Sequence, residues 1–201
     1  MSIELGRPSA APQRGAMSVT HSLSESSLTL FRALRYHRFR TLDPFDHIVV
    51  RTMRLHYELH DAGWATVTLE CGDQKVEMTA SYLHDSLRDL ASAARALSSG
   101  AAEARVVFMD EPGEHQMLVR RTNDKDLELE ILWYDDWQSW KMHDGPGTRR
   151  LLGRTSVAHV RGQVLSELRR LLRENGESIY LEKWAEHPFP MAEMRDLEEA
   201  G

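Results

Sequence analysis

Between Met53 and Ala80 the side chains switch between apolar and polar at nearly every residue, and this constrains the fold more than any other feature. Met53, Leu55, Tyr57 and Leu59 alternate with Arg54, His56, Glu58 and His60. A period of two is that of a β-strand with one buried face. Asp61-Ala62-Gly63 then turns the chain. Ala65, Val67, Leu69 and Cys71 repeat the pattern against Trp64, Thr66, Thr68 and Glu70, and after Gly72-Asp73 it continues through Val76, Met78 and Ala80. Connections this short join only antiparallel strands.

After Ser81, a residue type that caps helices, the spacing changes to three and four: Leu83, Leu87, Leu90, Ala94, Leu97. This predicts an amphipathic helix over residues 82–98, stopped at Ser98-Ser99-Gly100. Further strands are expected at 104–110, 115–122 and 127–134, with a short apolar piece at Leu151-Leu152. Ser156 caps a long helix carrying Val157, Val160, Val164, Leu168 and Leu171, which ends at Asn175-Gly176. A shorter helical segment holds Tyr180, Leu181 and Trp184 and stops at His187-Pro188-Phe189-Pro190. Met191 to Glu199 follows as a solvated helix. The implied class is α+β, in the order βββα-βββ(β)α: an antiparallel β-sheet of six or seven strands, with two main helices packed on one face. One sheet is the simplest arrangement that buries both kinds of apolar surface.

Residues 1–47 are expected to form a flexible basic extension, and 48–201 a single α+β domain. The chain has 201 residues and a net charge of −6. That average hides an asymmetry: residues 1–52 hold seven arginines and four acids, whereas the other 149 hold 18 basic and 27 acidic residues. An acidic domain without a long basic run is a poor nucleic-acid coat, so such binding is expected only through Arg32, Arg35, Arg38 and Arg40. No stretch approaches the roughly 18–20 apolar residues of a membrane span, and residues 1–40 lack a secretory apolar core. The single cysteine, Cys71, excludes an internal disulfide, fits a reducing compartment and is expected to be half-buried.

Chemistry-bearing residues are sparse. His56, Glu58 and His60 share a strand face, but at about 7 Å spacing they are too far apart to ligate one metal ion together. His84-Asp85, Glu114-His115 and His187 invite acid-base readings. There is no nucleophile elbow, Gly-rich phosphate loop or His-Glu-x-x-His motif, and no cofactor or metal is expected. The most distinctive segment is Trp133-Tyr134-Asp135-Asp136-Trp137-Gln138-Ser139-Trp140, holding three of the five tryptophans and two adjacent carboxylates. Aromatic side chains dominate interface hot spots and carboxylates meet basic partners. Tyr134, Asp135, Asp136, Trp137 and Trp140 are therefore the candidate partner-binding residues. A purely structural role is the competing expectation, with Trp133 closing the core and Trp137 and Trp140 covering the sheet edge.

The runs Met53-Arg-Leu-His-Tyr-Glu-Leu, Gly63-Trp-Ala-Thr-Val, Thr79-Ala-Ser-Tyr-Leu, Gly100-Ala-Ala-Glu-Ala-Arg, Glu111-Pro-Gly-Glu, Ile131-Leu-Trp-Tyr-Asp-Asp and Glu186-His-Pro-Phe-Pro resemble a family of short, uncharacterised actinobacterial proteins. The resemblance covers residues 53–192. It implies a bacterial cytoplasmic protein whose folded part begins near Met53, and it implies no activity or cofactor. The leading expectation is a non-enzymatic protein-binding module, immunity-like or accessory, whose partner has a basic surface. The alternative is a small enzyme or small-molecule binder with a cleft between sheet and helices, using His84, Asp85, His115 and His187.

Overall fold

A computed structural model describes residues 52–200. The expected basic extension, including Arg32, Arg35, Arg38 and Arg40, lies outside the described residues, as do residues 48–51. The order of elements is β1 (Met53–Leu59), β2 (Trp64–Cys71), β3 (Gln74–Ser81), α1 (Ser86–Ser98), β4 (Glu103–Met109), β5 (Glu114–Arg121), β6 (Asp126–Tyr134), β7 (Thr148–Ser156), α2 (Val157–Lys183) and α3 (Met191–Glu199). The described residues form an α+β fold with seven antiparallel strands. The strands divide into two sheets, β1-β2-β3 and β4-β5-β6-β7, in place of the one expected.

The alternation determines which residues are buried. Leu55, Tyr57, Val67, Leu69 and Met78 of the first sheet, and Val106, Phe108, Met117, Val119, Leu129 and Ile131 of the second, enter one core with Leu87, Leu90 and Leu97 of α1 and Val164, Leu168 and Leu171 of α2. Helix α1 begins at Ser86 rather than at residue 82, because Asp85 is the N-cap and its Oδ1 accepts from Arg88 N at 3.2 Å. Ser81 is the last residue of β3. Gly176, at φ 65°, breaks α2 where the sequence predicts the stop. Helix α3 is less solvated than expected: Met194 and Leu197 are buried, and Arg95 and Arg88 of α1 reach Asp196 and Glu193.

Two devices hold the sheets in place. Helix α2 lies along the outer edge of β1 and satisfies its backbone with side chains. His159 Nε2 donates to Met53 O (2.6 Å), Gln163 Oε1 accepts from Leu55 N (3.1 Å), Glu167 Oε2 accepts from Tyr57 N (2.9 Å), and Arg170 donates to Tyr57 O (2.5 Å). Four helical residues rise about 6 Å and two strand residues about 6.7 Å, so the two repeats stay in step over two turns. Between the sheets, the Gln74 side chain acts as a strand residue, donating to Leu152 O (2.9 Å) and accepting from Leu152 N (3.2 Å). Beside it Gly153 must lack a side chain, because a Cβ there would collide with the Cys71 sulfur. Cys71 is thus fully buried, not half-buried, and wedged against β7.

Candidate functional site

The acidic and aromatic segment leaves β6 and folds back over the face of the four-stranded sheet that points away from the core. Alternation in β5 sends His115, Met117 and Val119 inward, paired with Trp133, Ile131 and Leu129, and sends Glu114 and Gln116 outward. Glu114 is nevertheless completely buried, because the loop closes over it. Its carboxylate accepts from Gln116 Nε2 (2.5 Å), Ser139 N (2.9 Å) and Ser139 Oγ (2.5 Å). A buried carboxylate with three donors is a strong anchor, since each charge-assisted bond is worth more than a neutral one. It fixes the short 3-10 turn Gln138–Trp140.

Around this anchor the predicted site residues take different roles. Tyr134 is buried and meets His143 edge to face at 5.4 Å. Asp135 is exposed and accepts from Trp133 Nε1 at 2.7 Å. Asp136 accepts from the Trp137 backbone (2.7 Å), a local turn bond. Trp137 is half-buried and donates its indole N–H to Asp110 O at 2.8 Å. Trp140 packs edge to face on Trp137 at 4.9 Å, yet 50% of its surface is open to solvent. Met142 beside it is 56% exposed. Three of the five residues therefore hold the loop, while Trp140 and Asp135 face outward. Sequence reasoning missed Glu114 and Ser139 as the fastening; the available signal was a polar pair, Glu114 and Gln116, on a strand face that also carries the buried Val107 and Met109.

The acid-base candidates divide between two places. His84 binds Asp89 at 2.7 Å, and this hydrogen bond raises its pKa. His187 Nε2 sits 2.7 Å from Tyr82 O, and its Nδ1 is 3.8 Å from Asp85. These three gather at the start of α1. His115 instead lies against Trp133, ring centroids 4.6 Å apart, on the floor of a cleft between the two sheets. His56 on β1 turns to Glu167 (3.4 Å), and His60, just past the end of β1, to Thr66 Oγ1 (2.9 Å). Among the described residues no three His, Cys, Asp or Glu side chains are grouped to hold a metal ion.

Burial lowers the His115 pKa to about 4, with Asp110 opposing and Arg150 reinforcing the shift. The unfolded imidazole, near 6.5, then binds more protons than the folded one between those values. The contribution is complete above the unfolded pKa and is lost as pH falls towards 4. Stability should drop by about 2 kcal/mol from this group alone between about pH 7.5 and about pH 5. His84, whose pKa is raised, acts in the opposite sense: its contribution is present in acid and is lost as pH rises. Urea titrations of the wild type and His115→Phe at both pH values isolate the His115 share. An equal acid loss in the two proteins rules it out.

No protein-family model matches the chain, and no curated protein matches it. Among solved structures it is similar to a chain of the CdiA-CT/CdiI toxin and immunity complex from Enterobacter cloacae. The identity is 12% and the TM-score 0.35, over 58% of this chain and 97% of that one. From so faint a likeness nothing follows about function or partner. Among the described residues no helix is long and apolar enough to cross a membrane.

Proposed function

We propose that this protein is a non-enzymatic binding module of immunity-like or accessory type, and that the loop from Asp135 to Met142 contacts a protein with a basic surface. The observation that carries this reading is Trp140: half its surface is open to water while its loop is pinned from beneath by the buried Glu114. A large aromatic presented on a rigid support loses little entropy on binding, which is how hot-spot residues gain affinity. Asp135 and Asp136, against the single Lys141, give the loop its sign.

The test is capture from host extract by the immobilised full chain, compared with Trp140→Ala combined with Asp135→Asn. The asparagine keeps the acceptor for Trp133 Nε1, so the melting temperature should hold. A discrete protein captured by the wild type should be lost by the variant at least about tenfold, and the purified pair should reproduce the difference. Equal capture by both removes the loop from the interface.

A further inference from the structure

Where the two sheets part lies an open, shallow cleft of about 430 Å³, between Lys75 and Glu77 of β3 on one side and Asp110, His115, Trp133 and Arg150 on the other. Arg150 owes its place to a β-bulge. Ile131 pairs with Leu151 and Leu132 with Arg149, leaving Arg150 as the extra residue. Arg149 therefore stays on the outer face, bound to Glu130 at 2.6 Å, while Arg150 joins the cleft with no hydrogen-bond or ion-pair partner for its side chain among the described residues. Bulges of this kind re-aim side chains at sites.

His115 adds the second observation. It is 9% exposed, and its Nδ1 is sealed from solvent without a hydrogen-bond partner among the described residues. An orphaned N–H costs more than an orphaned lone pair, so the proton belongs on Nε2 and the floor of the cleft carries a neutral donor. The other charges are partly engaged. Lys75 pairs with Glu70 at 3.8 Å, and Asp110 accepts from Glu111 N at 2.8 Å.

We infer that this cleft binds the carboxylate of a small planar acid, with Arg150 as the cationic clamp, His115 as the neutral donor and the Trp133 indole as the stacking wall. A guanidinium matches a carboxylate in two parallel bonds, and an aromatic face suits a flat body. Asp110 and Glu77 set the limit: a single negative charge is taken, and a phosphate or dicarboxylate is disfavoured.

Benzoate is the probe, titrated into the full chain while the Trp133 indole N–H and His115 ring resonances are followed by NMR. Saturable millimolar binding is expected, with Arg150→Gln weakening it about tenfold or more and Arg150→Lys falling between. Arg150 is exposed, so these variants keep the fold. Benzamidinium and phthalate should bind more weakly than benzoate. The proposal is overturned by an absence of saturable shifts, by benzamidinium or phthalate binding as tightly as benzoate, or by unchanged affinity in Arg150→Gln.

Discussion

Glu114→Ala is expected to destabilise the protein by about 3–5 kcal/mol and to release the whole loop from Asp135 to Met142. The carboxylate is fully buried and is the common acceptor for Ser139 N, Ser139 Oγ and Gln116 Nε2. Truncation leaves three donors without a partner, at about 1–3 kcal/mol each before water reaches those nearest the surface. For a domain of this size that is a fall of roughly 10 °C in melting temperature. Glu114→Gln is the informative control. Its carbonyl still accepts from Ser139 N and its amide can donate to Ser139 Oγ, so about 1–2 kcal/mol should be lost. Hydrogen exchange at Ser139 N should quicken in the alanine variant far more than exchange in β1 or β2. A melting temperature within a degree or so of wild type would mean that the loop is held by its aromatic packing instead.

The strands and helices were legible because each has one apolar face and a clear period; what each face packs against was not. Alternation in β3 and β4 shows that both strands meet a core, but it carries no information on whether they pair with each other. Their separation into two sheets depends on α1, which runs between them in sequence and takes the edge of β4, with Asp89 accepting from Val107 N at 3.3 Å. Strand β7 was visible only as Leu151-Leu152. Its inward positions include Gly153, present because Cys71 occupies the space of a side chain, and its bulge places two arginines in succession. In the candidate site, composition located the segment without sorting its members. The indole of Trp137 is held by Asp110 O, 27 residues away, whereas Trp140 has no such bond and faces solvent. A local pattern cannot reveal a partner supplied by another hairpin. The same holds for Ser81, a good capping residue that β3 consumes before the helix starts.

Glu167→Ala should cost about 3–4 kcal/mol, and combined with Gln163→Ala it should also change the association state, because these two residues close a strand edge. Its Oε2 accepts from Tyr57 N at 2.9 Å and from Arg170 at 2.8 Å, and Arg170 in turn donates to Tyr57 O. Losing the carboxylate strands a backbone N–H in a residue whose side chain is wholly buried, and removes one of the two carboxylates that orient the guanidinium holding Tyr57 O, the other being Glu174. Glu167→Gln keeps an acceptor for Tyr57 N and should lose less than about half as much. Because one guanidinium joins both groups, Glu167→Ala and Arg170→Ala should be non-additive by about 1–3 kcal/mol in a double-mutant cycle. The second consequence follows from geometry. With Gln163 and His159 still in place, β1 is uncovered only near Tyr57; Gln163→Ala combined with Glu167→Ala bares the N–H groups of Leu55 and Tyr57 together, a row to which another chain can add a strand. Light scattering on the double variant should show mass rising with concentration under conditions where the wild type's is constant. If the alanine and glutamine variants at 167 are equally stable, or the double variant's mass does not respond to concentration, the side-chain row on α2 is packing alone and not a cap.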